Sequence, residues 1–304
     1  MHLMDRIVQM GSDIVVRETD GTILKLPGTS QIAKEIEGIS LRYTLNDSVV
    51  ALLSSTLLGN AEFVSKSRAI IRLPAQRFWV EWPEPEDGKP SGKRRRIGVL
   101  VEGDDDLQSG RMQIAWSEDT DTTLAQAGIS FDLRTVEGKQ GFWRNMRDTT
   151  NVCPHILSLL RSCDVELAPA WQDYFMKRGP HAIGNLMEDI CRTVWREPLL
   201  IFAFALFLQS KGSPLLSRPA DIARLNAARQ KRGKSHMLDR LDVLVHAGAT
   251  LDSRHPPSGG GCRSLHFVRG HFVHRRNTVF WRSPHLRGDA DRGIVTKRYL
   301  RLVN

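Results

Sequence analysis

Along the chain the apolar positions change period several times, and each change marks an element boundary. Residues 11–26 (GSDIVVRETDGTILKL) alternate on either side of Asp20-Gly21, the pattern of a short β-hairpin. From Thr29 to Leu58 the spacing turns helical: TSQIAKEIEGI is a capped start, and SVVALLSSTLL is an apolar segment that needs a packing partner. AIIRLPAQRFWVEWPEP returns to alternation, with Phe78, Val80 and Trp82 on one face and Trp79 and Glu81 on the other. A loop rich in proline, glycine and charge follows from Pro83 to Arg96, and then IGVLVEG and RMQIAWSED read as two more strands.

Residues 151–210 take the helical period again. HILSLLRSC and PAWQDYFMKRG have amphipathic spacing, and HAIGNLMEDICRTVWREPLLIFAFALFLQSKG reads as one long helix kinked or divided at Pro198. The linker KGSPLLSRPAD leads to a short basic helix, with Asp221 as its N-cap and Gly233 ending it after Arg232. HMLDRLDVLVHA is then a strand. RSLHFVRGHFVHRRNTVFWRSPHLRGD reads as two strands with a tight turn near Arg276-Asn277, and RGIVTKRYLRLV as a closing strand. The pattern predicts an α+β fold: an antiparallel, sheet-rich region over 1–150, a helical middle over 151–212, and a small basic β-rich module over 213–304.

Composition narrows the class. The chain is 41% hydrophobic and 25% charged, which suits a globular protein and excludes wholesale disorder. Its longest apolar run, Leu199 to Leu208, is half of what a bilayer crossing needs (roughly 20 residues) and reads as a buried helix. MHLMDRIVQMGSD lacks the pattern of a signal peptide. Cys153, Cys163, Cys191 and Cys262 show no CxxC spacing, so reduced thiols in a host cytoplasm are expected rather than a disulfide framework.

Charge changes the picture more. From Leu215 to Asn304 stand 18 Lys and Arg against 6 Asp and Glu; the remaining 25 of the chain's 43 basic residues face 28 of its 34 acidic ones. Clustered positive charge of this kind suits a polyanion, because it focuses field and releases counterions condensed on phosphate backbones. Lys93 to Arg96 (KRRR) and Glu102 to Asp106 (EGDDD) read as solvated turns, since consecutive side chains diverge and do not converge on one ligand.

Seven of the ten histidines lie from His236 onward. Cys262, His266, His271 and His274 offer zinc-ligand types, but a single cysteine without a second pair argues against a metal, and no cofactor is expected. Read as one alternating strand, residues 266–274 put Arg269 and His271 on a common face, unless a bulge at Gly270 re-aims the strand. His271 and His285 are the candidate acid and base of a metal-independent ribonuclease, with Arg269 and Arg287 to hold phosphate. Without chemistry, Arg263, Arg269, Arg275, Arg276, Arg282, Arg287 and Lys297, interleaved with Phe267, Phe272, Phe280 and Trp281, would grip phosphates and stack bases.

ARLNAARQKRGKSHMLDRLDVLVH, the HxxRGH element at His266–His271, the tryptophan strand with its following Arg287-Gly288 turn, and GIVTKRYL together resemble a pattern of uncharacterised phage and prophage proteins. LPAQRFWVEW followed by GVLVE is similar to that family's first half. The resemblance implies a phage or prophage origin and no particular chemistry. The expectation is a phage-related accessory protein that binds nucleic acid through its C-terminal module. A ribonuclease-like enzyme, and a virion-structural or partner-blocking protein that engages a host or phage protein, stand beside it. No membrane partner is expected.

Overall fold

The structure, a computed structural model, describes residues 1–19, 21–84, 95–118, 121–135, 154–246, 264–268, 270–275, 278–287 and 289–295. It is an α+β protein built on one large mixed sheet.

The chain opens with α1 (Leu3–Met10), a helix without a polar N-cap of its own. The hairpin β1 (Ile14–Arg17) and β2 (Ile23–Leu26) follows in the expected place, and Gly21 takes the positive φ of +87° that its turn requires. The segment expected to be wholly helical from Thr29 contains α2 (Ser30–Gly38), the strand β3 (Arg42–Leu45) and α3 (Asp47–Gly59). All four residues of β3 are buried, so it shows no alternation to betray it. Asn46 caps α3, its side chain accepting from Val49 N at 2.9 Å. Beyond α4 (Ala61–Lys66) come β4 (Arg77–Pro83), β5 (Arg96–Gly103), β6 (Ser109–Glu118), β7 (Asp121–Leu124) and β8 (Ala127–Asp132).

The middle of the chain holds α5 (Pro154–Leu160), the unexpected strand β9 (Cys163–Leu167), α6 (Pro169–Met176), α7 (Pro180–Val194) and α8 (Arg196–Gln209). The long helix is divided at Trp195, three residues before Pro198, which sits harmlessly in the first turn of α8. The expected linker contains an edge strand, β10 (Leu215–Pro219), largely exposed and ending in a proline as edge strands tolerate. After α9 (Ala223–Gln230), β11 (Leu241–Val245) joins the sheet.

The sheet runs β10-β11-β3-β4-β5-β6-β8-β9, with β7 also on β6. β11–β3 and β3–β4 are parallel and the other ladders antiparallel, so the sheet is mixed rather than simply antiparallel. Phe78, Val80 and Trp82 face a core shared with α3 and α8, where Phe202, Phe204 and Phe207 are fully buried. The apolar run of α8 is thus a core helix, and no helix among the described residues is long and apolar enough to cross a membrane. Trp79 and Leu100 face the other side, under α1 and α2.

Glu81 shares that second side and is completely buried. Its carboxylate accepts from Met4 N at 2.9 Å, Leu3 N at 3.3 Å, Trp79 Nε1 at 3.1 Å and Arg96 Nε at 3.0 Å, and lies 2.7 Å from His2 Nδ1. A side chain on the sheet therefore does the work of the missing N-cap of α1. Burial alone would push this carboxyl up; the contacts with His2 and Arg96 and the backbone amide outweigh it and hold it at about 2. Arg95 and Arg96 of the KRRR segment thus point inward, Arg96 to Glu81 and Arg95 over the Trp116 ring at 5.0 Å; Lys93 and Arg94 lie outside the described residues. The aspartates of EGDDD form the expected turn: Asp104 accepts from Ser109 Oγ at 2.6 Å, Asp106 from Gln108 N at 2.9 Å, and Arg134 pairs with Asp106.

Candidate nucleic-acid interface

The histidine- and arginine-rich stretch falls into two separately paired pieces, one ending at Val268 and one beginning at His271. β12 (Ser264–Val268) pairs with β15 (His285–Arg287) and β16 (Asp289–Val295), in the order β15-β12-β16. β13 (His271–Arg275) and β14 (Thr278–Arg282) form a separate hairpin across residues 276–277, where the turn was expected. The single alternating strand through 266–274 is therefore broken, and parity on β12 says nothing about parity on β13.

Gly270 marks the break. A Cβ there would fall 2.4 Å from Trp281 Cζ2 and 3.1 Å from Pro284 Cδ, so glycine lets the indole lie against the backbone. Trp281 and Phe272 face the main core: their ring centroids are 4.9 Å apart, and each lies 4.8 Å from Phe207 of α8. Phe63 stacks on Phe272 at 5.6 Å. Backbone bonds complete the attachment, Lys211 N donating to Val279 O and Trp281 N to Lys211 O, both at 2.9 Å.

Because one face of the hairpin is fixed to the core, alternation turns the other outward. His271 lies opposite Arg282, Val273 opposite Phe280, and Arg275 opposite Thr278. Arg275 and Arg282 are exposed and Phe280 is half-buried between them. Lys211 brings its ammonium over the Phe280 ring, 5.8 Å from the centroid. Sequence reading missed Lys211 because it stands in an apparent linker; only the backbone pairing with β14 delivers it. The resulting face carries three permanent cations, one histidine and one aromatic ring, with the two arginines about 13 Å apart along the ribbon.

The other candidates fall elsewhere. His285 and Arg287 are on β15, which pairs with β12, so His271 and His285 are not cross-strand neighbours. His285 Nδ1 lies 3.1 Å from Ser283 O, a local contact that orients the ring. Arg287 is exposed and in register with His266. Arg263, Arg269, Arg276, Lys297 and Cys262 lie outside the described residues. His271 and His274 are three residues apart on β13 and project from opposite faces, so these two do not converge as zinc ligands.

A concave feature lies at the opposite side of the sheet. Lys34, Glu35, Gly38, Arg77 and Glu102 line an open hollow of about 580 Å³. Arg77 bridges Glu35 at 2.7 Å and Glu102 at 3.4 Å, while burial and the neighbouring Glu35 push the Glu102 carboxyl up. With two carboxyls beside two cations, this hollow has no surplus positive charge to draw a polyanion. No family model, no curated protein and no solved structure matches the chain.

Proposed function

We propose that this is a phage-related accessory protein that binds nucleic acid through its small, basic, β-rich C-terminal module, in the cytoplasm of a host cell. The observation that carries the reading is the outer face of the β13–β14 hairpin. There Lys211, Arg275 and Arg282 surround Phe280 on a ribbon whose other face is anchored by Phe272 and Trp281. Cations held on a rigid support grip phosphates with little ordering cost, and an aromatic ring among them offers a stacking surface to a base. The phage resemblance of the HxxRGH and tryptophan strands supports the biological setting.

The test is binding of the full chain to mixed-sequence RNA and DNA at several salt concentrations, with Arg275→Ala and Arg282→Ala beside it. Each substitution is expected to lower the slope of log affinity against log salt by about one unit, with the melting temperature unchanged. Unchanged slopes, or no binding at low salt, would overturn the reading. Cleavage of the RNA, lost in His271→Ala while affinity persists, would move the assignment to the ribonuclease-like enzyme.

A further inference from the structure

We propose that α9 and the loop after it form a rigid basic finger that enters the major groove of duplex DNA. The inference rests on the nucleic-acid reading above and adds the form of nucleic acid and a second element that contacts it. From Ala223 to His236 every residue is exposed except Asn226 and Arg229, which are half-buried, and α9 buries no residue at all. A helix of eight residues is too short to persist in water by its own propensity, so something other than apolar packing holds it.

That support is polar and lies at the base. Asn226 clasps the returning strand with both amide atoms: its Nδ2 donates to Met237 O at 3.0 Å, and Met237 N donates to its Oδ1 at 2.8 Å. Inside the finger, Arg229 Nε donates to Ser235 O at 2.7 Å and Lys234 N to Arg229 O at 3.0 Å. Below it, Leu238 N donates to Asp5 of α1 at 2.8 Å, and Arg42 Nη1 of β3 donates to Asp239 O at 3.2 Å. The base is thereby tied to the same α1 that Glu81 holds on the sheet.

Arg229 apart, the charge serves no folding purpose that these contacts reveal. Arg224, Arg229, Lys231, Arg232 and Lys234 occur with no acidic residue between Ile222 and Leu238, and among the described residues no ion pair engages any of the five. At 100° per residue, Arg224 and Arg229 lie about 140° apart on α9 with the exposed Leu225 and Ala228 between them, and Lys231 and Arg232 follow in the turn beyond its last residue. Asn226 lies outside that arc. A narrow apolar crest with cations on both flanks suits a groove walled by two rows of phosphates. An α-helix about 10–12 Å across fits the B-DNA major groove of about 12 Å, whereas the major groove of duplex RNA is too narrow for side chains to read. The edge strand β10, with exposed Arg218, connects this finger to Lys211 and the hairpin, so both elements lie along one edge of the sheet.

The experiment uses the full chain, a 30-base-pair DNA duplex and an RNA duplex of the same length. K231Q/R232Q/K234Q is expected to lower the salt slope on DNA by about three units and to weaken binding more than tenfold at moderate salt, with an unchanged melt. Asn226→Ala, which keeps every cation and loosens the finger, is expected to weaken DNA binding severalfold. The wild type is expected to prefer DNA over RNA. If the wild type binds DNA and R275A/R282A weakens it, while K231Q/R232Q/K234Q keeps wild-type affinity and slope, the finger fails and the hairpin reading stands. Equal wild-type affinity for the two duplexes overturns groove entry. No binding to either duplex or to single strands removes the nucleic-acid reading together with the finger.

Discussion

Glu81 and Glu197 are buried carboxyls with opposite consequences. Glu81 is held at about 2, below its unfolded value of roughly 4.3. It therefore stabilises the fold above that unfolded value, and the contribution is lost as pH falls from about 4.3 toward 2. Glu81→Gln leaves Arg96 without its counter-charge, and a loss of about 3–5 kcal/mol in urea unfolding is expected. Glu197, in the first turn of α8, is pushed up to about 7 by burial, and its Oε2 has no hydrogen-bond partner among the described residues. Its cost is absent in acid and grows as pH rises from about 4.3 to 7, because only the unfolded chain ionises freely there. Glu197→Gln is expected to raise stability at pH 8 by on the order of 2 kcal/mol and not at pH 4, read from paired thermal melts. A variant no more stable than wild type at pH 8 would refute the assignment. The period of β4 already placed Glu81 beside Trp79. Its role as the cap of α1 was illegible, because the cap comes from a residue about eighty positions away and MHLMDRIVQM carries no Ser, Thr, Asn or Asp at His2, where the cap belongs.

Elements with a one-sided pattern were legible, and those without one were not. The β1–β2 hairpin, β4, the buried α8 and the β13–β14 hairpin stand where alternation, apolar length or turn chemistry placed them, whereas α9 follows Ile222, not an Asp221 cap, and ends at Gln230, short of Arg232. β3 and β10 were missed for opposite reasons: β3 is buried on both faces, and β10 is exposed on nearly all of its length, so neither alternates. β9 hides behind α5 in a stretch whose general character is helical. In the candidate site, Phe272 and Trp281, expected among the base-stacking aromatics, turn inward onto Phe207 instead, because alternation along the hairpin leaves only Phe280 on the outer face. Period alone left open whether Gly270 re-aims the strand; in the structure the indole of Trp281 lies against Gly270, where any side chain would clash. Gly270→Ala tests this directly. The added methyl must displace Trp281 or the backbone, so a loss of about 1–3 kcal/mol is expected, with reduced quenching or a shifted emission of the buried indole. A variant with wild-type stability and fluorescence would show that the ring has room to move.

The basic end and the body of the molecule are not independent. β11 supplies Val243 to the main core, and Phe272, Val279 and Trp281 close that core around the last turns of α8. A chain stopped at Gly212 leaves Phe207 and the outer edge of β3 uncovered. Such a fragment is expected to bind a hydrophobic dye and to lack a cooperative melt; a sharp melt with no dye binding would show that the body folds without its basic end. The ladder of β11 on β3, sealed by Thr44 Oγ1 donating to Asp242 at 2.6 Å, joins segments made about 200 residues apart. At roughly 5–20 residues per second, the ribosome emits β11 about 10–40 s after β3. Throughout that interval β3 offers an unpaired strand edge beside an exposed apolar helix, the surface on which nascent chains stick to one another. Soluble yield in the cell is thus expected to depend on the pace of translation between β3 and β11, and on any chaperone that occupies that edge until its own strand arrives.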